Sequence, residues 1–64
     1  MQAGVKSQPL IDLLTTEEIA TLLKVPPKTI RQWVYLGRIP NIKMNGLVRF
    51  AMKDIENWLQ QSAR

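Results

Sequence analysis

Two adjacent prolines in the middle of the chain, Pro26 and Pro27, constrain its fold more than any other feature. Each proline disfavours the helical conformation for the residue before it, so a helix that arrives from the N-terminal side has to end before them. Proline is nevertheless favourable in the first turn of a helix, where its missing N–H is not needed. The dipeptide therefore predicts two helices joined by a very short turn, with the second helix beginning at Pro27.

The segment before the prolines, LTTEEIATLLKV, has the pattern of an amphipathic helix over about residues 16–24. Thr15 and Glu18 have the spacing of a capping box, in which a hydroxyl and a carboxylate each accept a hydrogen bond from a backbone N–H. Glu17 and Glu18 also suit the positive end of the helix dipole. The apolar face of this first helix consists of Ile19, Ala20, Leu22 and Leu23.

The segment after the prolines predicts a second helix from Pro27 to Leu36, and Gly37 is suited to end it in the left-handed conformation. Its apolar face follows the i, i+3, i+4 spacing of a buried helix stripe, with Ile30, Trp33 and Val34. Another face is basic and rich in hydrogen-bonding groups, and it carries Lys28, Arg31, Gln32 and Tyr35.

The dipeptide Asn45-Gly46 lies between two apolar runs and predicts a β-hairpin. The length of its loop decides which side chains share a face, since a one-residue slip turns every side chain of a strand to the other side. We expect a three-residue loop over residues 45–47, with Leu47 exposed at the tip, because a two-residue loop would divide the apolar set between two faces. The expected register pairs Met44 with Val48, Ile42 with Phe50, and Lys43 with Arg49.

A third helix is predicted over about residues 53–61, where Ile55, Trp58 and Leu59 repeat the same helical spacing. The expected fold class is mainly α with a two-stranded β-hairpin, which is a winged helix-turn-helix with three helices. The expected core is composed of Leu23, Ile30, Trp33, Phe50, Ile55 and Trp58.

The first 11 residues show no periodicity and contain Gly, Ser, Gln and Pro, so we expect a flexible tail over residues 1–11 and one domain over residues 12–62. No apolar run approaches the ~20 residues of a membrane span, and the start lacks the apolar stretch of a signal peptide. We therefore expect a cytoplasmic, nucleoid-associated protein without membrane contact. Whether the chain is a fragment of a longer protein, such as a recombinase, stays open at this stage.

The net charge of +4 is unevenly distributed along the chain. The acidic residues lie toward the two ends, and none occurs between Ile19 and Met52. On so small a protein this acid-free basic segment favours a polyanionic partner over an ordinary solvated surface. The chain has no histidine and no cysteine, so we expect no metal, no cofactor and no enzymatic activity. The cations of the segment are Lys24, Lys28, Arg31, Arg38, Lys43 and Arg49.

The basic face of the second helix suits DNA, because a helix-turn-helix places its second helix in the major groove. Arginine pairs with guanine and glutamine with adenine, each through two hydrogen bonds, so Arg31 and Gln32 are candidates for base contacts. Lys28 or Thr29 can bind a phosphate. Tyr35 either packs on the surface or donates a hydrogen bond to a phosphate.

Three further cations outside the second helix are candidate DNA contacts. Lys43 and Arg49, on the hairpin, would contact the DNA backbone or the minor groove. Arg38 follows the Gly37 helix end, where it either reaches a phosphate or is solvated.

The motifs TTEEIATLL, KTIRQWV, GRIPNIK, VRF and DIENWL, in this order over residues 14–59, resemble the excisionase-type winged helix-turn-helix family, which is related to the MerR DNA-binding domain. Members of that family bind and bend DNA as recombination directionality factors of phages and mobile elements, or act as small transcription regulators. The resemblance implies double-stranded DNA as the partner, with contacts from Lys28, Arg31 and Gln32 in the recognition helix and from Lys43 and Arg49 in the wing.

The resemblance also implies a cognate integrase or recombinase as a further partner, and cooperative self-association on DNA. We expect a directionality factor; the alternatives are a small transcription regulator and a protein-interaction module that recruits a recombinase through Leu47 and the tail. The chain departs from the family at Pro26, where many relatives have a serine cap, and at the wing tip, which is often basic in relatives. It also lacks the long dimerisation helix of MerR regulators, so ligand sensing is not expected.

Overall fold

The computed structural model describes residues 13–62, so the predicted tail, residues 1–11, lies outside the described part of the chain. All three predicted helices are present, with bounds within about one residue of those expected, and the predicted hairpin joins the second helix to the third. The elements in chain order are β1 (Leu13–Leu14), α1 (Thr16–Leu23), α2 (Pro27–Tyr35), β2 (Ile42–Met44), β3 (Leu47–Ala51) and α3 (Met52–Ser62).

The sheet has three antiparallel strands in the order β1-β3-β2, one more strand than the sequence predicted. The additional strand, β1, pairs Leu13 with Ala51 and Leu14 with Phe50. A strand of two residues is too short to show a period in the sequence, and its formation depends on the free edge of β3. The short strand connects the start of α1 to the hairpin.

Local hydrogen bonds define both ends of α1. The predicted capping box is confirmed: the Glu18 N–H donates to Thr15 Oγ1 at 3.1 Å, and the Thr15 N–H donates to Glu18 Oε1 at 2.8 Å. The helix ends at Lys24, which has a positive φ of 61°. This left-handed residue turns the chain so that the Val25 N–H donates to the Ala20 carbonyl at 3.0 Å.

Prolines define the start of α2, and a glycine defines its end. Pro26 is extended, with φ −64° and ψ 147°, and provides no side-chain cap, but its carbonyl accepts a hydrogen bond from the Thr29 N–H at 2.9 Å. At the other end, Gly37 has φ 69° and donates to the Val34 carbonyl at 3.0 Å, while Arg38 donates to the Trp33 carbonyl at 2.8 Å. This pair of bonds is a Schellman motif, which confirms the predicted role of Gly37.

The core lies where the helix pair α1 and α2, the sheet and α3 meet. Among the residues predicted for it, Ile30, Phe50 and Ile55 are fully buried, whereas Leu23, Trp33 and Trp58 are half-buried and pack against its edge. The two tryptophan rings, whose centroids are 5.9 Å apart at a tilt of 59°, join α2 to α3. The complete set of buried residues in the described chain is Ile19, Ala20, Ile30, Ile39, Phe50, Ala51 and Ile55.

The hairpin register differs from the one predicted. Met44 pairs with Leu47, Lys43 with Val48, and Ile42 with Arg49, so the loop contains two residues and not three. Asn45 and Gly46 have φ values of 50° and 80°, the two successive positive values of a type I′ turn. The twist of this turn matches the twist of the flanking strands, and this match outweighs the gathering of all apolar side chains on one face.

The observed register gives the hairpin two different faces, because directly paired residues point to the same side of a sheet. The inner face carries Phe50, which is fully buried, and Val48, which packs against the core. Lys43 is paired with Val48 and therefore lies on the inner side. The predicted pairing of Lys43 with Arg49 is wrong, and these two cations lie on opposite faces. The outer face carries Ile42, Met44, Leu47 and Arg49.

We predict that Lys24→Gly stabilises the protein, because a residue with a Cβ is strained in the left-handed conformation that Lys24 adopts. The expected gain in the free energy of unfolding is about 0.5–1 kcal/mol, after allowance for the greater entropy of glycine in the unfolded chain. Urea unfolding measures it. Lys24→Ala is the matched control, since it removes the same charge but keeps the Cβ. Equal stability of the two variants would contradict the assignment of strain.

Candidate nucleic-acid interface

The burial of Ile30 determines which face of α2 is exposed. Successive residues of an α-helix are rotated by about 100°, so the side opposite Ile30 carries the residues rotated by roughly 100–200° from it. Lys28, Arg31, Gln32 and Tyr35 fall in this sector and all are exposed, Tyr35 to 87%. The structure thus brings four of the five predicted residues of this helix to one face. The fifth, Thr29, is half-buried and is rotated by about 100° in the other direction.

A groove runs between this face of α2 and the inner face of the β2–β3 hairpin. Two valines, Val34 from the helix and Val48 from the strand, provide its apolar part. Because the two-residue turn places Lys43 on the inner face, the groove brings this hairpin residue close to two predicted site residues of α2, Arg31 and Tyr35. The complete lining consists of Thr16, Arg31, Val34, Tyr35, Lys43 and Val48. Thr16 was not among the predicted site residues.

The remaining predicted cations lie outside the groove. Arg49 is on the outer face of the hairpin, half-buried, and its Nη1 donates a hydrogen bond to the Val48 carbonyl at 2.8 Å. Arg38 is exposed in the loop that follows α2. The basic surface therefore has two parts: a groove side with Arg31 and Lys43, and a hairpin outer side with Arg49.

An ion pair between the first two helices was not anticipated from the sequence. Arg31 Nη2 on α2 lies 3.4 Å from Glu17 Oε2 on α1. Fourteen positions separate the two residues, and no periodicity within one helix relates them, so the sequence carries no signal for the contact. Their side chains are 60% and 69% exposed, and the pair contributes little to stability. What matters for an anionic ligand is that a carboxylate lies beside the Arg31 guanidinium.

The N-terminus of α2 adds a positive dipole end to the exposed face. Its first turn contains no acidic residue, and no side chain caps it. Pro27 has no N–H and the Thr29 N–H donates to the Pro26 carbonyl, so this end offers an anion the Lys28 N–H and the helix dipole. Lys28 lies in this first turn, so charge and dipole act at the same place.

Residues 13–62 show no feature of a metal site or of a membrane-spanning helix. This part of the chain contains no cluster of three or more acidic, histidine or cysteine side chains that could hold a metal ion. None of its helices has the length and apolar character needed to cross a membrane.

Comparison with protein families assigns residues 13–63 to a known domain. This segment, which is most of the 64-residue chain, matches the family model described as "Helix-turn-helix domain". Comparison with curated proteins and with solved structures finds no significant match. The matched segment includes both helices of the pair, the hairpin and α3.

We predict that Glu17→Gln raises the affinity for random-sequence DNA by about 3- to 10-fold at low salt, since it frees Arg31 from its partner and removes a carboxylate that repels DNA phosphates, a repulsion worth ~1 kcal/mol. Fluorescence anisotropy with a labelled duplex measures the affinity. Glu56→Gln is the control, because it changes the net charge equally at an exposed position on α3. An equal effect of the two variants would show that only net charge matters and that the ion pair does not.

Proposed function

Because the chain belongs to the helix-turn-helix domain family, we propose that it is a sequence-specific DNA-binding protein that inserts α2 into the major groove. The wing, which is the β2–β3 hairpin, would then lie on the neighbouring backbone or in the minor groove. An α-helix has a diameter of about 10–12 Å, which the ~12 Å width of the major groove accommodates.

One observation carries this proposal: α2 has a fully buried residue, Ile30, on one side and a continuous polar face on the other. The buried side holds the helix to the core through apolar contacts. The exposed side presents side chains whose donors and acceptors match base edges and phosphates. This exposed face carries cations and no acidic residue, a charge imbalance that favours a polyanionic partner.

Some of the proposed contact residues would read bases, and the others would bind the DNA backbone and position the protein. Arg31 would donate two hydrogen bonds to a guanine, and Gln32 would form a pair of hydrogen bonds with an adenine. Lys28 would bind a phosphate together with the uncapped end of α2. Lys43 lies across the groove from α2 and would bind the opposite backbone. Tyr35, Arg38, Arg49 and Thr29 complete the proposed contacts.

Within this class, we propose an excisionase-type recombination directionality factor that bends DNA near a recombination site. The support is the resemblance of five motifs over residues 14–59, together with the basic hairpin beside the recognition helix. One α2 offers few base contacts, so a single copy would bind modestly. Cooperative binding of several copies to repeated sites would then supply the required affinity. Contact with a cognate integrase would favour the excision direction of recombination. The protein would act on DNA in the cytoplasm, at the nucleoid.

We predict that Arg31→Ala/Gln32→Ala reduces the preference for a selected site over random DNA at least tenfold, because each base pair read by two hydrogen bonds is worth about 1–3 kcal/mol. The salt slope of log K should change little, because Arg31 and Gln32 are assigned to bases and the proposed phosphate-binding cations are intact. The site is first selected from a random pool, and affinities are then measured across a salt series. Lys53→Ala/Gln60→Ala, at exposed positions on α3, is the matched control.

Unchanged site preference in the α2 variant would contradict α2 as the reading element. The directionality role has a separate test, in which the protein is added to excision reactions of a candidate integrase on DNA that contains the selected site. Increased excision supports the role. A change in transcription from a promoter carrying the site, with no effect on excision, would instead identify a transcription regulator.

A further inference from the structure

We propose that Met44 and Leu47 form an apolar wedge at the wing tip that enters a base step from the minor groove and kinks the DNA. The inference rests on the proposed DNA-binding function and adds a second activity to it, the unstacking of one base step. It assigns this activity to the wing, whereas sequence reading belongs to α2.

The observed hairpin register creates the wedge. Met44 and Leu47 form the last cross-strand pair before the turn, so their side chains lie side by side on the same face. This is the outer face, opposite the buried Phe50. In the three-residue loop that the sequence predicted, Met44 would have faced the core and Leu47 would have stood alone. The pair therefore exists only because the turn has two residues.

Packing within the protein does not explain why both residues are apolar. Met44 is 36% exposed and Leu47 is 53% exposed, and neither packs against the core. The turn beyond them is also free: a Cβ added at Gly46 would meet no atom within 4 Å. Two adjacent apolar side chains thus project from the exposed tip of the hairpin, where they can enter a narrow cleft.

The charge around the tip favours DNA over a protein as the occupant. Lys43 and Arg49 flank the apolar pair on the two strands, and the whole segment from Ile19 to Met52 contains no acidic residue. A stable protein interface requires roughly 800 Å² from each partner, and two side chains at a hairpin tip supply only a small part of that area. A base step needs no more than one or two inserted side chains.

The chemistry of the contact is that of known minor-groove wedges. Leucine and methionine are among the side chains that partially unstack base steps, and such insertions kink the duplex by about 20–90° toward the major groove. The steps that unstack most easily are TA and CA/TG, so we expect the wedge to select one of these beside the sequence read by α2.

The experiment compares wild type with Met44→Thr/Leu47→Thr, both single variants, and a control. Threonine suits exposed strand positions, so the hairpin is expected to fold normally. Leu22→Gln/Leu59→Gln is the control, because it removes two exposed apolar side chains from the helices. The DNA is the site selected by wild type, with 2-aminopurine placed in turn at each flanking step to report unstacking. Dyes at the duplex ends report the bend by energy transfer.

We expect wild type and control to raise the 2-aminopurine fluorescence at one step and to bend the duplex, and the double threonine variant to lose both effects. That variant should keep its preference for the bases read by α2 and its salt slope, because α2 and every cation are intact, and should lose only the preference for the flanking step. Binding to the selected site with an unchanged fluorescence change and bend would overturn the wedge but not the DNA-binding function, and would leave the tip available to a protein partner. A straight, stacked wild-type complex would also overturn the wedge. Failure of wild type to bind DNA at low salt would overturn both proposals.

Discussion

The burial of Ile30 is the contact on which the rest of the structure depends. A fully buried isoleucine stabilises the fold by roughly 1.5–3 kcal/mol, more than the surface ion pair on the same helix can contribute. Ile30 packs in one cluster with Ile19 and Phe50, so α1, α2 and β3 meet at this point. Rotation of α2 by one residue would expose Ile30 and bury Arg31. One apolar contact therefore determines which side chains the helix offers to a ligand.

The wing shows a different balance of forces. Burial alone would favour a register with all apolar strand residues on the inner face, but the Asn45-Gly46 turn has the two positive φ values that a tight hairpin requires. This turn geometry depends only on the two turn residues, whereas the additional apolar area that the other register would bury at the hairpin tip is small. The outcome is a hairpin with two faces, an inner one that carries Lys43 beside α2 and an outer one that carries Met44 and Leu47. Each face therefore has its own part in the proposed complex.

The sequence predicted the elements whose signals are local. The Thr15–Glu18 capping box, the start of α2 at Pro27 and its Gly37 end were all correct, since each depends on residues within one turn. It missed β1, which exists only as a partner of β3, and the burial of Ile39, which lies in a loop without periodicity. The exposed face of α2 could be read from helical spacing. The groove could not, because it depends on the hairpin register, and neither could the Glu17–Arg31 contact between helices.

The most direct test of the central claim, that α2 reads the major groove while the wing lies in or along the neighbouring minor groove, is methylation protection with dimethyl sulfate on the selected site. The reagent reports both grooves at once, because it methylates guanine N7 in the major groove and adenine N3 in the minor groove. We expect protection of at least one guanine N7 that is lost in Arg31→Ala, with altered adenine N3 reactivity only on the flank contacted by the wing. A bound complex that leaves every guanine N7 of the site reactive would contradict the central claim.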